Sequence, residues 1–287
     1  SLLMQDNEII SIARTFVSLG VTKIRLTGGE PLIRKNIAGL LEQLSTLNTE
    51  LAISTNGIRL HHVLPVLLSS GIRLVNVSLD TLNADKFHSI TRRNVFHQVW
   101  NNVRLLIDNS IYVKLNVVVM KGVNDAEIND FIRLTKDLPV HVRFIEFMPF
   151  EGNTWHRDKV FGWQRILQTV EQEHDFYQLP AAPNDTAKNY RATGHAGTFA
   201  VISTMTAPFC STCNRMRLTA DGKMKNCLFS RDETDLLTAL RSGHDIEPLI
   251  RQCIHDKAAA TGGQFTLALE KINTATLQNR SMIAIGG

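Results

Sequence analysis

No stretch of this sequence stays apolar for the roughly 18 residues that a membrane-crossing helix needs. Its first residues, which include Asp6 and Glu8, hold no apolar block like that of a secretory signal. Cysteine is scarce, at four in 287 residues, which is far from the density of a disulfide-built secreted framework and argues against one. Neither sign of charge dominates: a formal net charge of +4 gives no basic surplus that argues for nucleic acid, and it is compatible with an anionic small ligand. None of the ten histidines forms an HExxH pair, and His61-His62 reads as a solvated helix start. Repeats, low-complexity tracts and long linkers are missing as well. What is present is a chain of 44% apolar content, long enough for a barrel-sized domain with an extension and expected to be soluble and from a reducing compartment.

From Val21 to Phe147, β-rich runs alternate with helical patterns. Strands are predicted at Val21-Thr27, Leu51-Thr55, Leu74-Leu79, Tyr112-Met120 and His141-Phe147, and helices at 33–47, 63–70, 95–109 and 125–136. This alternation predicts parallel strands wrapped by helices. An amphipathic helix at 7–19 has no strand before it, as if a barrel had lost its first strand. Beyond Pro149 the pattern becomes irregular, so a loose boundary falls near Phe150, with helices expected again at 233–241 and 246–259.

Three of the four cysteines share one span, as Cys210-Ser-Thr-Cys213 and, past an Asp221-Gly222 hairpin signal, Cys227. A structural zinc ion would need a fourth ligand from Cys253, His244 or His255. An iron–sulfur cluster on three cysteines, with one iron left open, fits the count best.

In parallel α/β architectures, ligand groups collect where strands end. The first predicted strand runs into Thr27-Gly28-Gly29-Glu30-Pro31, where the glycines permit a positive φ and a close backbone approach while Glu30 supplies a carboxylate. Period-two geometry places Asn76, Ser78 and Asp80 on one face of their strand, and Lys114 and Asn116 on one face of theirs. Arg25 and Arg143 interrupt otherwise apolar strands in the same way. Two readings of Lys114 stay open: an edge strand or internal pairing with Asp80 or Glu146, or a ligand role. Cationic residues on several such strands favour a polyanion such as a triphosphate, and Arg215 and Arg217 would point the same way in an extended segment.

The segments Lys-Ile-Arg-Leu-Thr-Gly-Gly-Glu-Pro at 23–31, Asn-Val-Ser-Leu-Asp at 76–80, Arg-Phe-Ile-Glu-Phe-Met-Pro at 143–149, Phe-Cys-Ser-Thr-Cys-Asn-Arg-Met-Arg at 209–217 and the Gly286-Gly287 tail together resemble one family. It is the GTP 3′,8-cyclase family of radical S-adenosylmethionine enzymes in molybdenum cofactor synthesis. The resemblance implies an α/β fold: an incomplete triosephosphate-isomerase-type (βα)6 barrel over residues 1–150, missing its first strand. An α+β C-terminal extension over 151–287 would carry an auxiliary [4Fe–4S] cluster and the Gly-Gly tail, with Gly287 reaching into the site.

By position, the resemblance assigns S-adenosylmethionine to Gly29, Ser78 and Met148, with Glu30 and Asn116 nearby. It assigns GTP to Arg25, Ser54, Lys114, Arg215, Met216 and Arg217, and the cluster to Cys210, Cys213 and Cys227, where its open iron would meet guanine. Ser54 stands where relatives often have threonine. No catalytic side chain is assigned. The family's reaction starts with a 5′-deoxyadenosyl radical generated at a second [4Fe–4S] cluster on a CxxxCxxC loop, and this sequence contains no CxxxCxxC. The expectation is therefore an N-terminally incomplete cyclase, inactive by itself, with a non-catalytic GTP-binding iron–sulfur protein as the alternative. The partners implied are GTP, an external reductant, cyclic pyranopterin monophosphate synthase acting on the product, and a second copy through an unpaired edge strand. Neither nucleic acid nor membrane is expected, and the location implied is the cytoplasm, or the mitochondrion in a eukaryote.

Overall fold

The computed structural model describes residues 2–153, 155–264 and 278–285, so the Gly286-Gly287 tail lies outside the described residues. Helix α1 (Asp6–Ser18) leads into strands β1 (Lys23–Leu26), β2 (Glu50–Thr55), β3 (Leu74–Ser78), β4 (Tyr112–Val119) and β5 (His141–Glu146). Between them run α2 (Ile37–Ser45), α3 (Leu60–Ser69), α4 (Ala84–Thr91), α5 (Phe96–Asp108) and α6 (Ile128–Asp137). Successive strands pair in parallel, and β1 ends the sheet on one side. All five predicted strands are present within two residues of their expected ends. Helix α4 was not expected; the Asn83 side chain caps it by accepting the Lys86 amide at 2.9 Å.

Residues after Pro149, which look irregular in sequence, extend the same sheet. Helix α7 (Trp163–Glu171) is followed by β6 (Phe176–Gln178), β7 (Lys188–Ala192) and β8 (Thr198–Ile202). Strand β8 joins β5 in parallel, and β7 and β6 continue antiparallel, giving the order β1-β2-β3-β4-β5-β8-β7-β6. Patterning predicts five parallel strands and the sheet has six. Strand β8 is a short apolar run with no alternating pattern, buried along nearly its whole length, and long-range pairing makes it a strand.

The two faces of the sheet differ in kind. Ile53, Val75, Val77, Val113, Leu115, Val142, Phe144, Phe199 and Val201 point to the helices and are buried in one apolar core. Each such side chain contributes roughly 1.5–3 kcal/mol. The alternate residues, among them Arg25, Ser54, Asn76, Lys114, Asn116, His141 and Arg143, form the opposite, concave face. This is the lumen of an open, partial barrel.

A smaller layer follows. Strands β9 (Arg217–Leu218), β10 (Lys223–Lys225) and β11 (Thr234–Asp235) form an antiparallel sheet, succeeded by α8 (Leu236–Arg241), α9 (Glu247–His255) and α10 (Met282–Ile285). The Asp221-Gly222 turn joins β9 to β10, with Gly222 at φ 73° as a tight hairpin requires. Helix α1 fastens this layer to the barrel: Ile10 and Ala13 enter the main core, while Ile12 packs with Met224, Leu236, Leu237 and Ile250. No helix among the described residues is long and apolar enough to cross a membrane.

Candidate active site

The strand register sets the lumen residues side by side. Ser54 lies opposite Asn76, Asn76 opposite Lys114, Ser78 opposite Asn116, and Asn116 opposite Arg143. Arg143 donates from Nε to Asn116 Oδ1 at 2.8 Å and from Nη2 to Asn116 Oδ1 at 2.6 Å and Asn76 Oδ1 at 3.0 Å. Both acceptors are neutral amides, so they hold the guanidinium without cancelling its charge.

Of the two readings of Lys114, the edge strand or internal pairing with Asp80 or Glu146 does not hold. Strand β4 lies between β3 and β5. Asp80 accepts the Val118 amide at 2.8 Å. Glu146, on the opposite face, accepts the amides of Trp163, Met205 and Thr206. Both carboxylates are used to hold backbone in place. Among the described residues, Arg25, Lys114, Arg143 and Arg215 make no ion pair with a carboxylate.

These cations feel one another. Burial, then Arg143, Lys23 and Arg25, bring Lys114 down to about 8. Burial, then Arg25 and Arg215, bring Arg143 to about 9, and Arg217 falls to about 10 through burial and the same two arginines. Arg25 reaches solvent, yet the surrounding protein and Arg215 push it down too. His141, stacked on Tyr112, falls to about 3 through burial and the charges of Lys114 and Arg143, so it is neutral at physiological pH. Crowded, partly desolvated positive charge of this kind is stabilised by an anion. A cleft of about 480 Å³ lined by Lys23, Glu50, Arg73, Tyr112 and Lys114 opens at the N-terminal ends of the strands.

The C-terminal strand ends carry the other assigned positions. Gly28 adopts φ 79°, as the sequence suggests. Gly29 has an ordinary φ, and its role is close approach: a Cβ there would lie 3.0 Å from Ile283 Cγ2 of α10. The Glu30 carboxylate accepts from the Leu32 amide, Thr55 Oγ1 and the Asn56 amide, which ties the β1 loop to the end of β2. Ser78 is exposed at the end of β3. Met148 packs beside Phe147, Cys227 and Ile285.

Cys210 opens a short turn in which its carbonyl accepts the Cys213 amide at 3.2 Å, and Cys227 follows β10. All three are free and partly exposed. Cys210 Sγ accepts the Thr261 amide at 3.4 Å, and Cys213 Sγ accepts Lys257 Nζ at 3.7 Å. Burial would raise the Cys213 thiol, but Arg215, through its backbone, charge and side chain, and Lys257 hold it below its ordinary value. Such surroundings favour thiolates, the form that binds iron. Among the described residues, no three Cys, His, Asp or Glu side chains close around a single metal ion. The zinc candidates do not complete a site: Cys253 is buried in the second apolar cluster and His255 faces solvent beside Asp256.

Arg217 joins the two halves of the site. Its charge responds to Arg25 and Arg215 on one side and to Cys213 and Cys227 on the other, and its Nη1 donates to the Ile285 carbonyl at 3.4 Å. The Arg215 guanidinium lies over the Phe209 ring at 5.2 Å. Met216, between them, turns its side chain into the second apolar cluster. Sequence reasoning did not single out Asn76 as a site residue, although its place in the alternating polar set was visible. It had no signal for Lys257 or for the approach of α10.

The concave parallel sheet, with polar strand ends and a cysteine layer across it, belongs to the radical S-adenosylmethionine class. Residues 2–135 match the radical SAM superfamily and residues 140–262 match Molybdenum Cofactor Synthesis C. The structure of Streptococcus suis SuiB bound to S-adenosylmethionine shares the fold at a TM-score of 0.59 and 14% identity, over 86% of this chain and 61% of that one. The mitochondrial GTP 3′,8-cyclase of Arabidopsis thaliana is 44% identical over 99% of this chain and 73% of its own length. The GTP 3′,8-cyclase of Desulforamulus reducens is 38% identical over 89% and 81%. The chain belongs to this GTP 3′,8-cyclase family. It spans 45% of the length of the bovine relative, molybdenum cofactor biosynthesis protein 1, at 42% identity.

Proposed function

We propose that the protein binds GTP in the barrel lumen and acts as a GTP 3′,8-cyclase, forming 3′,8-cyclo-7,8-dihydro-GTP in the first step of molybdenum cofactor synthesis. One observation carries the reading: Arg25, Lys114, Arg143 and Arg215 crowd together with no carboxylate ion pair among the described residues, beside Arg217 and the three thiols. A triphosphate supplies the missing negative charge, and each charge-assisted hydrogen bond to it contributes about 1.5–3 kcal/mol. In this reading Arg25, Ser54, Lys114, Arg215 and Arg217 hold the nucleotide with their side chains, Met216, whose side chain is turned into the apolar cluster, does so through its backbone, and Arg217 turns guanine toward Cys210, Cys213 and Cys227. Gly29, Ser78 and Met148, with Glu30 and Asn116, hold S-adenosylmethionine at the opposite strand ends. When bound, S-adenosylmethionine with its own cluster supplies one-electron, hydrogen-abstracting chemistry, and the cluster on the three cysteines supplies an iron for guanine to meet. The four cysteines of this sequence include no CxxxCxxC set for the cluster that partners S-adenosylmethionine. In this reading the residues described above bind and orient the two ligands.

The test is equilibrium binding of GTP, GMP and ATP. GTP is expected to bind far more tightly than GMP, and more tightly than ATP. Equal binding of GTP and GMP would overturn the reading. The alternative is a non-catalytic GTP-binding iron–sulfur protein; the Ile283 side chain stands next to exposed Gly29, a position assigned to S-adenosylmethionine. Release of 5′-deoxyadenosine from S-adenosylmethionine under reducing, anaerobic conditions separates the two. The reading also takes in an external reductant, cyclic pyranopterin monophosphate synthase downstream, self-association through the free edge of β1, and a cytoplasmic or mitochondrial setting.

A further inference from the structure

Asn76 is fully buried at the centre of the lumen floor and has three polar neighbours. Its Nδ2 donates to the Ile53 carbonyl at 3.3 Å and to Ser54 Oγ at 3.1 Å, and its Oδ1 accepts Arg143 Nη2 at 3.0 Å. Two of these neighbours can play only one part. A carbonyl can only accept and a guanidinium can only donate, so the amide cannot be turned over: flipping it would set NH2 against the guanidinium and oxygen against oxygen. The third contact is then fixed by the other two, and Ser54 Oγ must accept. Its own proton is left over, and among the described residues no protein acceptor takes it. Ser54 is only 7% exposed, so that proton has few directions open besides the lumen.

We infer that Asn76 is a positioning residue for the nucleotide: it presents Ser54 as a fixed hydrogen-bond donor and holds Arg143 in place with its charge intact. The inference rests on the GTP reading and deepens it. A carboxylate at position 76 would invert both effects. It would accept the Ser54 proton, turning the hydroxyl away from the ligand, and it would pair with Arg143 and cancel one positive charge. An amide is the side chain of that shape that does neither.

The experiment is a double-mutant cycle on GTP dissociation constants, using the unsubstituted protein, Ser54→Ala, Asn76→Asp and the double variant. The absolute effect of Asn76→Asp includes the charge it adds, so the readout is the cost of Ser54→Ala in each background. Removing Ser54's hydroxyl is expected to weaken GTP about fivefold to tenfold with Asn76 present and less than about twofold in the Asn76→Asp background. An equal cost in both backgrounds overturns the inference, because Ser54 would then donate without help from its neighbour. A purely structural role for Asn76 would lower the melting temperature and leave the Ser54 cost unchanged. Asn76→Thr, whose hydroxyl is one bond shorter, replaces Asn76→Asp if that variant does not fold, with the same expected loss of Ser54 dependence. Absence of GTP binding by the unsubstituted protein overturns the substrate reading and this one with it, whereas binding with an unchanged cycle overturns this one alone.

Discussion

Two lysines show how differently the barrel lumen and the C-terminal layer use charge. Lys225, on β10, is fully buried, and its Nζ donates to the Ser230 carbonyl at 2.6 Å and to Asn279 Oδ1 at 3.0 Å, with Glu233 3.6 Å away. Lys114, on β4, makes no ion pair with a carboxylate among the described residues; its Nζ lies over the Tyr112 ring at 5.5 Å, and the repulsion of Arg143, Lys23 and Arg25 outweighs the weaker attraction of Glu50. The neighbours of Lys225 are equally well served, since Arg280 reaches Asp221 at 2.9 Å and Glu233 at 2.5 Å. In one region charge is spent on joining segments distant in sequence, and in the other it is kept available. A buried cation whose hydrogen-bond partners are complete is structural, and a half-buried one without a carboxylate ion pair among like charges is available to a ligand.

The sharpest way to break this comparison is to make the same substitution in both places. Lys114→Met is expected to weaken GTP binding by about 100-fold, since a charged hydrogen bond worth about 1.5–3 kcal/mol is lost along with some of the lumen's field. The melting temperature should change little, because only the contact over the Tyr112 ring is lost, no hydrogen-bond partner is orphaned and repulsion is relieved. Lys225→Met should do the reverse. The Ser230 carbonyl and Asn279 would lose their donor in a buried site, at about 2 kcal/mol of stability in a denaturant titration, while GTP affinity of the folded fraction changes little. If Lys114→Met destabilised the protein as much as Lys225→Met, the two regions would not differ in kind.

Much of this contrast is legible in the sequence, and the remainder is hidden for identifiable reasons. Period-two alternation exposes the polar face of β3 and β4, and Arg25 and Arg143 stand out because their strands are otherwise apolar. The hairpin at Asp221-Gly222 follows from turn chemistry alone. Partner choice does not. Asp80 and Glu146 look like counter-ions for Lys114 until their backbone donors are seen, and Asn116 and Asn76 give no sign in sequence that both serve one guanidinium. Strands β6, β7 and β8 depend on pairing with β5 and with one another, which no local window contains.

A pH titration sharpens the comparison with a smaller effect. The folded pKa of Lys114, about 8, lies below its ordinary value of 10.5. Between about pH 8 and 10.5 the native state binds fewer protons than the unfolded one, so the Lys114 contribution to stability rises with pH across that window. GTP binding runs the opposite way, because the anion prefers the protonated amine. Affinity is expected to fall about tenfold from pH 7 to pH 9, and Lys114→Arg, whose guanidinium holds its proton more tightly than an amine, should make that profile shallower. A profile unchanged by Lys114→Arg would place the titrating group elsewhere.

The smallest expected effect concerns the place where the two regions touch. A methyl group added at Gly29 would lie 3.0 Å from Ile283 Cγ2 and 3.4 Å from the Ile283 carbonyl, and the Ile283 side chain is 76% exposed. The backbone at Gly29 does not need a positive φ, so Gly29→Ala creates no conformational strain, and an exposed side chain can move aside. Stability should fall by less than about 1 kcal/mol. Adding Ile283→Ala should recover most of that loss, since it removes the atom that the new methyl meets. S-adenosylmethionine affinity gives the discriminating measurement. If Gly29 is a ligand contact, the methyl remains in the ligand's way after Ile283 is cut back, and the double variant stays a few-fold weaker than Ile283→Ala alone. Full recovery of affinity in the double variant would mean that Gly29 is conformed to the C-terminal helix and touches no ligand, leaving the lumen cations as the only part of the site built for binding.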